Sequence, residues 1–312
     1  MIPRHLQISA LSLLLAASAV APSASAQQPA PPAAKRTLVR AGHLLDVKTG
    51  KLADAQTLVI VGDTIQAIQP TASVPAQPGD AVVDLGNLTV MPGLIDVHTH
   101  LTMNPDFDPY HELTSTDARD AINGVVNART TLLAGITSVR NVGASGFTDV
   151  DLRDAIDAGQ VAGPHMQVSG PLIGITGGHC DENLLPVRYH LEGDGVADGI
   201  AAVQHKVRQN IKYGADLIKI CATGGVLSKG DDPQASQYTL EELQAIVADA
   251  HRLGRRVAAH AHGAQGILWA TEAGVDSIEH GSYIDDAGIA EMKKRGTYLV
   301  PTLYLEDWML QY

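Results

Sequence analysis

"GLIDVHTHL", residues 93 to 101, closes an apolar run with two histidines, His98 and His100, one residue apart. On extended backbone side chains alternate between faces, so residues spaced in this way leave the same face. Similar short runs recur along the chain: "GITSVRNVG" (135–143), "HMQVSG" (165–170), "DLIKIC" (216–221), "RVAAHAH" (256–262), "VDSIEH" (275–280) and "TYLVPTL" (297–303). Between them lie helical periods at 117–135, 197–215 and 239–254. The last of these carries a capping box, Thr239 with Glu242 three residues on, and Gly254 as its stop. Seven strand signals alternating with helices predict a parallel sheet buried on both faces. An open doubly wound sheet and a (β/α)8 barrel both satisfy that pattern. No glycine-rich phosphate loop follows the first strand, which counts against the dinucleotide-binding sheet. The His, Lys, Arg and Asn residues gather at strand C-terminal ends, where barrel enzymes keep their chemistry.

The region ahead of the first His strand has a different texture. From Thr37 to Val90 the sequence alternates and is rich in β-branched residues, so a small β-structured part is expected over 37–90, with the barrel from 91 to 312. Residues 1–26 read as a secretory signal: Arg4, the apolar stretch "LSLLLAASAVA" and the small-residue site "ASA". An uncleaved anchor is the alternative. The segment 27–36, with "QQPAPPAA" at its start, reads as a Pro-rich linker. A periplasmic or secreted location is therefore expected. The two cysteines, Cys180 and Cys221, are expected as unpaired thiols, since a chain of this size needs no staple; a bridge requires both loops to meet at one rim. A net charge of −12 with no basic cluster argues against a nucleic-acid partner. With 45% apolar but only 4% aromatic residues, the core must be filled by aliphatic side chains.

The chemistry-bearing residues are few. His98 and His100 form a natural chelate for a borderline divalent ion such as zinc. Lys219 stands inside the apolar "DLIKIC", and lysines are seldom buried unpaired. His260 and His262 repeat the one-residue spacing, and His280 ends the next strand. Taken together these positions propose a metal site.

The motifs "VMPGLIDVHTHL", "DLIKICATGGVLS", "VAAHAHG" and "GVDSIEHG" resemble the amidohydrolase superfamily, within it the imidazolonepropionase-like and Xaa-Pro dipeptidase-like branch. The resemblance runs from Thr37 to the end. It implies a TIM barrel with a small β-sandwich beside it and two divalent metal ions, usually Zn2+. By that resemblance His98, His100, His260 and His280 are metal ligands and Lys219 is a carboxylated bridge. His262 faces the substrate or exchanges roles with His260. The implied reaction is hydrolysis of an amide bond by a metal-activated hydroxide, on a dipeptide or other small molecule. A cyclic-amide hydrolase and a non-catalytic metal-binding protein are the alternatives. The family's strand-eight aspartate has no match before Tyr312, since Glu306 and Asp307 follow the seventh strand signal. The chain is thus expected to be an N-terminal portion that stops after strand seven and is impaired in activity.

"GITGGHCDEN" (174–183) is similar to the family's TGGH segment, which makes His179 a group that polarises the substrate or binds its carboxylate, or else an exposed turn residue. Tyr238 is expected to bond a substrate carboxylate or to cover the next helix. Asp231 and Asp232 are expected as a solvated acidic turn rather than a basic-side-chain pocket. Arg140 is either a carboxylate clamp or the partner of a local acid. No membrane insertion is expected after signal removal, and a homo-oligomer stays open.

Overall fold

The computed structural model describes residues 35–103, 110 and 113–310. The expected signal segment and most of the linker lie outside the described residues. The chain divides into two compact units between Met91 and Pro92.

The first unit is a five-stranded sheet. β1 (Arg36–Asp46) pairs antiparallel with β2 (Lys51–Val61), which pairs with β3 (Thr64–Pro70). On its other side β1 pairs in parallel with β4 (Ala81–Asp84) and, further along, with β5 (Thr89–Val90). Leu38, Ala41, Leu58 and Val74 are its buried apolar residues, and Thr57 is buried with its hydroxyl on Thr71 Oγ1. β1 already begins at Arg36, because Arg36 is in register with Val61 of β2, so the linker expected over 27–36 ends sooner.

The second unit alternates strands and helices. β6 (Leu94–Thr99), β7 (Ile136–Asn141) and β8 (His165–Val168) form one parallel sheet; β9 (Leu217–Cys221), β10 (Arg256–Ala261), β11 (Ser277–His280) and β12 (Tyr298–Val300) form another. An isolated parallel bridge, Ile173 to Ile220, joins the end of the first arc to the second. The strands thus follow one another in chain order. They curve, for Arg140 on β7 reaches Ser277 on β11 at 3.0 Å across the interior. Every residue of β9 is buried, as a parallel strand covered on both faces requires.

Helices α1 (Asp117–Leu133), α2 (Thr148–Asp157), α3 (Ile200–Lys212), α4 (Leu240–Arg252), α5 (Ala264–Ala273), α6 (Asp286–Arg295) and α7 (Leu303–Met309) follow the strands. α4 starts as its sequence dictates: Thr239 Oγ1 accepts from Glu242 N–H, and the Glu242 carboxylate accepts from Thr239 N–H. α3 is shorter than the 197–215 pattern, because Ala197 N–H instead donates to Gly174 O at 2.9 Å. The main core lies between α3, α4 and α5 and strands β9 to β11, with Val203, Leu243, Ile246, Ile267, Ile218 and Val257 fully buried. Each such side chain contributes about 1.5–3 kcal/mol by leaving water. Among the described residues no helix is long and apolar enough to cross a membrane.

The expectation of unpaired thiols is corrected. Cys180 and Cys221 are joined in a disulfide with their Cα atoms 6.1 Å apart. The physical reason is that the loop after β8 folds back over the end of β9, where the Ile173 to Ile220 bridge already holds the two segments together.

Candidate metal centre and active site

Six imidazoles converge at the C-terminal ends of the strands. His98 lies 5.4 Å from His100 and 4.9 Å from His280, ring centre to ring centre. His280 is 4.8 Å from His260 and 4.9 Å from His262, which are themselves 4.6 Å apart. His179 stacks on His260 at 4.1 Å. One ligand nitrogen from each of His260, His262 and His280 falls within 4.8 Å of the others, a spacing one cation could span.

β-strand register sets the levels. Lys219 is opposite Ala258, Cys221 is opposite His260, and His260 is opposite Glu279. Strict alternation would send Glu279 and His280 to opposite faces. His280 instead takes a left-handed backbone, φ 70°, so both side chains reach the interior cluster. For a residue with a Cβ that conformation costs about 1–3 kcal/mol and is typical of functional sites.

The ring hydrogen bonds set which nitrogen each histidine offers. His98 Nδ1 donates to Glu279 Oε2 at 2.8 Å, and His100 Nδ1 donates to Gly143 O at 3.2 Å. In the neutral ring the lone pair is then on Nε2. His260 is turned the other way: its Nε2 donates to Gly224 O at 3.1 Å, so its lone pair is on Nδ1. His262 Nδ1 bonds Ser282 Oγ and His280 Nδ1 bonds Thr302 Oγ1. Metal-binding histidines are held in this fashion, with one nitrogen tied to the protein and the other presented as a donor. Asn141 orders the backbone round His100, accepting from Leu101 N–H at 2.7 Å and donating to Gly143 O at 3.1 Å.

Burial keeps five of these rings neutral. Desolvation is the leading cause at each: it holds His98 below its ordinary value, His100 and His260 well below theirs, and pushes His179 to about 4 and His280 to about 2. The charge of Lys219 pushes all five in the same direction. Neutral imidazole is the form that binds a cation.

Lys219 is 2% exposed, and its one hydrogen bond among the described residues is a long one, 3.5 Å to Val142 O. Burial lowers its pKa to about 8, with Glu279 opposing and Arg140 assisting. An amine so poorly paired in the interior fits a group that removes its positive charge. The donor set, neutral nitrogens around a buried amine, fits divalent cations.

Glu279 is the site residue that sequence reasoning missed. It is fully buried, accepts from His98 Nδ1 and from Arg140 Nη2 at 2.7 Å, and takes a third bond from Ser277. Its carboxyl stays below its ordinary value although burial, the largest single effect, opposes this; the His98 hydrogen bond and the charges of Arg140 and Lys219 together prevail. Arg140 is thus the partner of an acid, though one 139 residues away rather than local. The available signal was a glutamate inside the apolar "VDSIEH".

Tyr238 is not brought to the cluster. It is 1% exposed, and its hydroxyl donates to Ala197 O at 3.0 Å inside the core, which corrects its expected catalytic place. Burial raises its phenol pKa, so it stays a neutral, committed donor. Asp231 departs from the expected solvated turn as well, since it accepts from Ser228 Oγ, Gly225 N and Gln237 Nε2. Asp232 bonds Gln234 N–H within its own turn.

A match to the amidohydrolase family model covers residues 89–310, and the chain belongs to that family. An ochratoxinase of Aspergillus niger is 35% identical over 289 residues, covering 86% of this chain and 59% of its own length. The chain therefore spans less than two thirds of that curated relative. A crystal structure of a Xaa-Pro dipeptidase with bound methionine superposes with TM-score 0.82 at 38% identity, covering 89% of this chain and 69% of that one. A prolidase complexed with N-methylphosphonate-L-proline gives TM-score 0.76 at 33% identity, covering 86% and 66%. These similarities support a TIM-barrel-like α/β fold.

Proposed function

We propose that the cluster holds two divalent cations, zinc by the nature of its ligands, and that the protein hydrolyses the amide bond of small peptides as a dipeptidase. The observation that carries this reading is the opposed tautomers of His98, His100 and His260, whose lone pairs are set by bonds to Glu279, Gly143 O and Gly224 O. His98 and His100 would hold one ion and His260 and His280 the other, with Lys219, carboxylated by CO2, between them. Bound there, the cations supply an activated water and polarise the scissile carbonyl. The chain's own residues fix the geometry: Arg140 and Glu279 hold His98, Asn141 and Gly143 hold His100, and Thr302 holds His280. His179 stands beside His260, next to where substrate would lie. The Xaa-Pro dipeptidase and prolidase similarities support the peptide substrate. The Cys180–Cys221 bond supports an oxidising location outside the cytoplasm.

The test is metal analysis followed by a dipeptide panel that includes Xaa-Pro substrates. About two equivalents of metal, with low turnover that chelator abolishes, is the expected result. Bound metal with no hydrolysis of any dipeptide would favour a binding protein instead, and absence of metal would overturn the reading.

A further inference from the structure

The loop between β9 and α4 does more than cover the strands. His179 Nδ1 lies 2.9 Å from Ser228 Oγ, and Ser228 Oγ lies 2.6 Å from Asp231 Oδ1. A hydroxyl has one proton, and the carboxylate can only accept it, so Ser228 must accept from His179 Nδ1–H. Asp231 Oδ2 also takes Gln237 Nε2–H at 3.0 Å and Gly225 N–H at 3.1 Å. Gln237 in turn accepts the backbone N–H of His179 at 3.2 Å. The path therefore closes on itself, from His179 ring to Ser228, Asp231, Gln237 and back to His179 backbone. Gly225 completes it: a Cβ there would overlap the His179 ring at Nδ1. The adjacent Cys180 is tied to Cys221 at the end of β9.

We propose that Ser228 and Asp231 are positioning residues for His179, holding it as the Nδ1–H tautomer so that Nε2 is offered beside His260 as a hydrogen-bond acceptor. Neutral His179 then meets a donor, such as a substrate N–H or ammonium, rather than a carboxylate. This last step rests on the amide-hydrolase reading; the tautomer does not.

The experiment is 15N NMR of the histidine-labelled, disulfide-intact protein at pH 7.5, with His179→Asn to assign the resonance. Wild type is expected to show His179 protonated at Nδ1. Ser228→Ala should move it to a mixed or Nε2–H tautomer, while Ser228→Thr, which keeps the hydroxyl, should restore the wild-type pattern. An Nε2–H ring in wild type, or an unchanged signal in Ser228→Ala, overturns the proposal. Turnover on the dipeptide panel adds a separate reading: Ser228→Ala should lower kcat/KM at least tenfold, with Ser228→Thr recovering most of it. If no dipeptide is hydrolysed but the tautomer follows Ser228, the hydrolase reading fails and the positioning role stands. Ser228→Ala with wild-type kcat/KM would refute the positioning role even if the tautomer moved.

Discussion

Glu279 shows how much of the site depends on single residues acting at a distance. It is buried with three donors, His98, Arg140 and Ser277, and sets which His98 nitrogen keeps a lone pair. Glu279→Gln preserves the shape, but its amide has one acceptor oxygen for three donors and adds N–H groups among them. We expect divalent-metal affinity to fall about 10–100-fold, the usual effect of losing such a partner, as read by competition with a coloured chelator. Unchanged affinity would remove Glu279 from the site. The histidines and Lys219 were legible in the sequence because imidazoles and an amine at strand ends conflict with apolar surroundings. Glu279 was not, since its role depends on His98, 181 residues earlier, and on the left-handed turn at His280 that lets neighbouring side chains share one face. The Ser228 to Asp231 contact was hidden in a loop whose charges read as ordinary surface.

Strands β6 to β11 were legible because apolar runs with polar ends survive burial on both faces. α4 was legible to its cap. Thr239→Ala removes the hydroxyl that accepts from Glu242 N–H, and should cost about 1 kcal/mol, measured as a shift in urea midpoint with unchanged slope. No shift would mean that the Glu242 carboxylate, which also accepts from Gly199 N–H at 2.8 Å, holds the helix start alone. α5 was not singled out, because "AQGILWATEA" is apolar on most sides and packs Ile267 and Ala270 into the core, leaving little polar face to define a period. The disulfide joins two segments 41 residues apart. Its removal by Cys180→Ser with Cys221→Ser should destabilise the protein by about 2–4 kcal/mol, chiefly by freeing the unfolded chain. Thermal unfolding of the double variant beside wild type tests this; equal melting temperatures would contradict it.

For the molecule as a whole, the chain order of the barrel strands could be read from the sequence, but their curvature could not. Alternation says which face is buried and nothing about how far a sheet bends; the bend is visible only where β6 and β7 side chains meet β11 across the interior. That enclosure has a cost in acid. His98, His100, His179, His260 and His280 all have pKa values below the ordinary histidine value, desolvation being the first cause in each. The unfolded chain binds protons at these rings near pH 6.5, whereas the folded chain resists until about 4 at His179 and about 2 at His280. Stability is therefore fully present above pH 6.5 and is lost as pH falls from there toward the folded values. Between pH 7 and 5 the metal-free protein should lose about 1–2 kcal/mol for each of His179 and His280, with His98, His100 and His260 acting in the same direction. Urea midpoints across that range measure it, and bound zinc should raise the curve without flattening it, since the metal, like burial, keeps protons off the same nitrogens of the folded state. A metal-free profile that stays level from pH 7 to 5 would mean that the rings take up protons freely, which a buried neutral cluster does not permit.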